Sequence, residues 1–196
     1  MDCQKSASSR AVRALAVLSL FVAALFLISC QPSLYRIQPL KKEASPVAGK
    51  ALDLGELKIV ASAVLTDEEA FARFDSNLLL AGILAVELEI TNTEKLARRL
   101  RVELADARGQ RFRPLKAEAV LKRMMSYEGV RLYALEARKN TLASLEEQAL
   151  GNRLLVAENG KLRGTLFFDL KGDIAAFSGL VLRVEADGKA ASLQLN

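Results

Sequence analysis

From Leu84 onward, apolar residues fall at every second position. Leu84, Val86, Leu88 and Ile90 alternate with Ala85, Glu87, Glu89 and Thr91. A period of two places one set on one face of a β-strand and the other set on the opposite face, which no helix can do. Related patterns recur at 57–66, 100–104, 164–170, 180–186 and 189–195, and 111–113 reads as a short strand ended by Pro114. Turn chemistry separates them: Asn92-Thr93-Glu94-Lys95, a loop at 105–110 in which Gly109 supplies a positive φ, and Asp187-Gly188, a good hairpin pair. The strands at 84–92, 100–104 and 111–113 are expected to form one antiparallel unit with a wet and a dry face. About seven short strands point to a β-sandwich.

The period changes in two places. Thr66-Asp67-Glu68-Glu69 has the form of a capping box, with Thr66 as N-cap and Glu69 as its partner, and Ala70, Phe71 and Phe74 are expected to turn inward. Residues 115–125 carry Ala117, Val120, Leu121 and Met124 on one helical face, and 130–150 hold a second helical region, with Leu132, Leu135, Leu142, Leu145 and Ala149 as inward candidates and a break expected at Asn140-Thr141. Residues at about 116–156 therefore read as a helical insertion. The alternative architecture is a two-layer α+β fold with the helices on one face of a single sheet.

The N-terminal segment speaks to compartment. Lys5, Arg10 and Arg13 precede an apolar run of roughly 14–28, too short for a spanning helix, which needs about 20 residues. A basic stretch, an apolar stretch and then a small residue is the pattern of an export signal. The run ends in Leu27-Ile28-Ser29-Cys30, which resembles the lipobox of bacterial lipoproteins. That resemblance implies that the Cys30 sulfur is acylated, that residues 1–29 are removed as a signal peptide, and that Cys30 becomes the first residue of the mature chain. A thiolate suits this chemistry as a strong nucleophile. Gln31, where an aspartate would argue retention, implies the outer membrane of a double-membraned cell, on its periplasmic face. Residues 30–56 contain Pro32, Pro39 and Pro46, three of the four prolines, and read as a flexible tether, with the domain at 57–196. The other reading of Leu34, Tyr35 and Ile37 is a short docked edge strand.

Composition excludes several chemistries. There is no histidine, so Ser-His-Asp triads, Cys-His pairs and histidine-containing zinc sites are out of reach. Cys3 leaves with the signal peptide and Cys30 is committed to lipid, so no disulfide is available and packing must stabilise the domain. The whole chain carries a net charge of +5, and losing Lys5, Arg10, Arg13 and Asp2 leaves +3, too weak an excess to argue for nucleic acid. Arg98-Arg99-Arg101 and Arg108-Arg111-Arg113 read as solvated faces. No phosphate-binding loop, dinucleotide fingerprint or calcium-loop spacing is present, so neither a cofactor nor a metal is expected. Glu87, Glu89 and Glu103 are read as solvated strand positions, so a carboxylate-only glycoside chemistry would require two other carboxylates converging in a cleft about 5–9 Å apart.

The segments 81–92 (AGILAVELEITN), 108–115 (RGQRFRPL) and 164–170 (GTLFFDL) together resemble a loose class of bacterial envelope lipoproteins with an immunoglobulin-like domain. The resemblance covers about 57–195 and implies an immunoglobulin-like antiparallel β-sandwich, with no defined activity and no catalytic residue to carry over. Phe167 and Phe168 point to opposite faces of one strand, and Asp169 interrupts its apolar run. Phe168 or its neighbour, with Tyr127, Tyr133 and Asp169, is the candidate binding surface, an aromatic platform for a protein or glycan. The expected function is that of a non-enzymatic envelope lipoprotein with a structural, accessory or protein-interaction role. Its expected partners are the lipid bilayer through Cys30 and an envelope protein. The alternative is a binding lipoprotein for a small molecule, lipid or cell-wall fragment.

Overall fold

Alternating sequence becomes strand wherever a second layer exists to receive the apolar side. In a computed structural model describing residues 33–38, 49–131, 134–170 and 179–195, nine strands form two antiparallel sheets. The first sheet has the order β1 (Lys50–Leu54), β2 (Leu57–Ala63), β3 (Ile83–Asn92), β7 (Lys161–Asp169). The second has the order β5 (Arg111–Phe112), β4 (Arg98–Ala105), β8 (Val181–Ala186), β9 (Lys189–Gln194), with β6 (Arg153–Val156) also paired to β4. Placing β2, β3 and β7 in one sheet and β4, β8 and β9 in the other reproduces the A-B-E and C-F-G division of an immunoglobulin-like sandwich. The domain is mainly β, with three helices: α1 (Asp67–Phe74), α2 (Ala117–Tyr127) and α3 (Leu135–Gln148).

The core between the sheets follows from the register. Leu84 pairs with Phe168, Val86 with Leu166 and Ile90 with Ile59, and all six side chains point into the sandwich. From the other sheet come Leu100, Val102 and Leu104 of β4, with Leu182 and Val184 of β8. Fully burying a side chain of this size contributes about 1.5–3 kcal/mol, so these facing rows are the main source of stability. The Asp187-Gly188 hairpin has φ of 49° and 79° at its two central residues, the left-handed pair that matches strand twist.

The helices cover the outer face of the first sheet. Ala85 and Phe167 point away from the sandwich and pack with Phe74 of α1, Leu121 and Met124 of α2, and Leu145 of α3. Phe74 and Phe167 meet edge to face, their ring centres 5.6 Å apart. The molecule is thus layered helix, sheet, sheet. The N-cap forms as expected, with Thr66 Oγ1 accepting the Glu69 N–H at 3.2 Å, but Glu69 Oε2 reaches back one residue further than a capping box requires and accepts the Leu65 N–H.

Several expectations are corrected. Strands β3 and β4 do not pair; the chain crosses between sheets after Asn92, so β4 pairs with β5, β6 and β8. Residues 50–54, expected in the tether, form β1, joined to β2 by a tight turn in which Gly55 has a φ of 69°. Residues 153–156, expected within the helical insertion, form β6. Helix α3 runs unbroken through Asn140-Thr141, because Thr141 turns inward and its hydroxyl donates to the Ala137 carbonyl. Phe71 and Leu135, expected inside, are exposed. Glu87, expected in solvent, is buried because the helical layer lies over it.

Candidate functional site: a docked N-terminal segment and two exposed faces

Residues 33–38 are built into the helical layer and are not a free tether. Tyr35 is only 4% exposed. Thr141, fully buried in α3, accepts the Leu34 N–H at 2.8 Å and the Tyr35 N–H at 3.1 Å on its hydroxyl oxygen. The Leu34 N–H also reaches the Ala137 carbonyl at 3.3 Å. Further along, the Arg36 N–H meets Asp75, the Gln38 N–H donates to the Arg73 carbonyl at 2.7 Å, and Gln148 Nε2 donates to the Gln38 carbonyl at 2.9 Å. The segment crosses the layer from the first half of α3 to its last turn. It docks on side chains and backbone carbonyls of the helices and not as an edge strand.

Glu128, just past α2, is the polar centre of this contact. Its carboxylate accepts the Tyr35 hydroxyl at 2.7 Å and the Ser76 hydroxyl at 2.6 Å. Burial pushes the Tyr35 hydroxyl well above the ordinary phenol range, and its hydrogen bond to Glu128, the Glu128 charge and the Asp75 charge push the same way. Tyr35 is therefore a neutral donor, held to a charged acceptor. Beneath the segment lies a second polar group, in which Arg73 of α1 forms an ion pair with Glu87 of β3. Burial lowers the Arg73 guanidinium from its usual value; Glu69 opposes this and Arg163 adds to it. Thr165, directly opposite Glu87 in the register, is fully buried, and its hydroxyl has no hydrogen-bond partner among the described residues.

Of the residues singled out as a binding surface, Phe168 and Asp169 are taken up by the fold. Phe168 is fully buried between the sheets, where the β7 register turns it toward Leu84 and away from solvent. Asp169 makes a two-pronged pair with Arg123 of α2, at 2.7 and 2.8 Å, which ties the strand end to the helix. Tyr127 is exposed at the end of α2. Tyr133 and Cys30 lie outside the described residues, as do the rest of the N-terminal signal and the turn at 171–173. The sequence reading missed the Tyr35–Glu128–Ser76 and Arg73–Glu87 contacts. The one local signal was a buried-type threonine in the middle of α3.

Two open faces remain. Along α2 and the start of α3 runs a groove of about 930 Å³, lined by Lys116, Lys122, Arg131 and Arg138 with Leu115 and Met125. On the outer face of the second sheet, a shallower depression of about 540 Å³ lies among Arg99, Arg101, Arg153, Leu155 and Glu185. In that face Arg101 lies opposite Glu185 and Glu103 opposite Arg183, which alternates the charges across the strands. Among the described residues no group of three or more metal-ligating side chains converges, and no helix is long and apolar enough to cross a membrane. No protein family model, no curated protein and no solved structure matches the chain.

Proposed function

We propose that this is a lipid-anchored, non-enzymatic protein of the bacterial envelope, held to the outer membrane through Cys30 and facing the periplasm, with a structural, accessory or protein-interaction role. The observation that carries the reading is the Leu27-Ile28-Ser29-Cys30 end of the apolar run, followed within a few residues by a segment built into the domain. Acyl chains on Cys30 suffice for stable anchoring, since each buried methylene contributes about 0.8 kcal/mol and two chains hold where one does not. Supporting an interaction role over a small-molecule one, the space between helices and sheet is filled by Phe74, Leu121, Met124 and Phe167, while the open surface is grooved and charged. The ion-paired positions of Glu87 and Asp169 give their carboxylates a packing role. A protein partner would meet the outer face of the second sheet.

Labelled palmitate tests the anchor: the wild-type chain takes it up and Cys30→Ala does not. Equal incorporation in both removes the anchor from the reading. Crosslinking and pull-down of the acylated protein from native membranes tests the role, and recovery of the protein alone, without a stoichiometric partner, removes the accessory-subunit reading.

A further inference from the structure

We infer that the basic groove of the helical layer rests on an anionic lipid surface. The inference rests on the lipid-anchored reading above and adds to it which face meets the bilayer. Its first support is chain length. Leu34 is fixed to α3 through Ala137 and Thr141, and four residues of chain, Cys30 to Leu34, span at most about 14 Å. The acylated cysteine therefore holds the first half of α3 within roughly that distance of the lipid, whatever path the intervening residues take.

Charge is the second support. The groove beside this attachment carries Lys116, Lys122, Arg131 and Arg138 against a single acid, Glu118, which pairs with Arg138 at 3.3 Å. The charges of α3 are divided along its length: Arg138 and Lys139 outweigh Glu136, which pairs with Lys139 at 3.9 Å, and leave the half that receives Leu34 with a net +1, while Glu146 and Glu147 lie in the last turn, near Gln38, where no basic residue stands. A helix dipole accounts for Glu136 in the first turn but favours cations at the C-terminal end, so helix stability does not account for Glu146 and Glu147 there. An anionic surface at the anchored end does. The third support is Leu135, which is 81% exposed and lies one turn from Arg138 and Lys139 on the same stripe of α3. A bare leucine beside lysine and arginine is the combination that seats a helix at a lipid interface. Each cation near such a surface is worth about five-fold in affinity.

The test uses the full-length acylated protein carrying Leu135→Cys, with an environment-sensitive fluorophore on that cysteine. It is reconstituted in vesicles of phosphatidylcholine alone or mixed with phosphatidylglycerol. A second sample carries the probe at Ser192→Cys, on the exposed face of the far sheet. The probe at 135 should shift to the blue in anionic vesicles only, and high salt should reverse the shift. The probe at 192 should not move. Lys122→Glu with Arg138→Glu should cut the docked-to-free ratio by about twenty-fold or more, with thermal unfolding unchanged. An unmoved probe at 135 in vesicles that carry the acylated protein overturns the inference and leaves the anchor intact. So does a shift at 192, or a shift at 135 that is independent of lipid charge. Failure of the protein to float with vesicles or take up palmitate overturns the anchor reading and the inference with it.

Discussion

Replacing Thr141 by valine removes one oxygen and keeps the side chain's shape. That oxygen accepts two backbone N–H groups of the docked segment, at 2.8 and 3.1 Å. Leu34 retains the Ala137 carbonyl at 3.3 Å. Tyr35 retains no acceptor there and is buried. An orphaned buried donor costs about 1–3 kcal/mol, and the lost bond to Leu34 adds about 0.5–1 kcal/mol, for a net of roughly 2–3 kcal/mol. The segment's docking is itself a small difference. Ordering six residues costs about 6–12 kcal/mol, against the burial of Tyr35, part of Leu34 and Ile37, and a handful of hydrogen bonds worth about 1 kcal/mol each. A loss of 2–3 kcal/mol, by this estimate, is therefore enough to release the segment while the sandwich stays folded. Two measurements follow: amide exchange at Leu34 and Tyr35 should lose about 30- to 150-fold of protection, and tryptic cleavage after Arg36 should speed up similarly. The melting temperature should fall by at most about 4–12 °C, at about 2–4 °C per kcal/mol for a domain of this size, and by less once release of the segment caps the loss. Thr141→Ser, which keeps the oxygen, should retain most of the protection. Wild-type exchange and cleavage in Thr141→Val would refute the assignment of Thr141 as the segment's anchor point.

Four more outcomes follow from the same contacts. The Tyr35 hydroxyl is raised in the folded state, so the unfolded chain deprotonates first. Stability from this group is complete below about pH 10, the unfolded phenol value, and is lost as pH rises above it. Tyr35→Phe should lower stability near neutrality, by losing the Glu128 bond, and flatten the alkaline decline seen in urea titrations. Thr165→Val should be neutral or stabilising by up to about 1 kcal/mol, because the buried hydroxyl it removes has no partner; a loss above about 1 kcal/mol contradicts that. Glu87→Leu should destabilise by about 1–3 kcal/mol by stranding the Arg73 charge, and adding Arg73→Met should restore part of the loss in a double-mutant cycle. Gly164→Ala should cost about 1–3 kcal/mol or more in chemical denaturation, since a Cβ there would lie 2.4 Å from Leu150 Cγ and 2.8 Å from the Gln148 carbonyl oxygen.

The strands that face the sandwich were legible because alternation is a local property and both sheets need it. Leu84 to Ile90, Leu100 to Leu104 and the hairpin at Asp187-Gly188 were read in place. Pairing was not legible. Nothing within residues 84–104 says that the chain leaves one sheet for the other after Asn92, because that choice is made by β7 and β8, which occupy the sites beside β3 and β4. Glu87 was misread for a related reason: a glutamate between apolar residues has the same local signature whether water or a helix lies over it, and Arg73 comes from a different element. Residues 33–38 were misread because proline and charge nearby resemble a linker, while the groups that hold them lie roughly a hundred residues further on. Thr141 bonds Tyr35 across a separation of 106 residues and Gln148 bonds Gln38 across 110. Of the candidate surface, Phe168 could not be placed from sequence, since Phe167 beside it is an equal claimant to the core and both are fully buried.

A chain pulled by its N-terminal end meets the docked segment first. Traction from Cys30 loads the bonds at Leu34 and Tyr35 one after another, as a zip opens, so they yield well before strands loaded in parallel. Beyond residues 33–38, the next described element is β1, beginning at Lys50. The chain from residue 34 to residue 50 spans at most about 55 Å when fully extended, against roughly 14 Å from residue 30 to residue 34. With the attachment proposed at Cys30, the docked segment would give the domain two settings, close to the attachment point at rest and further from it under load, with the sandwich intact at both.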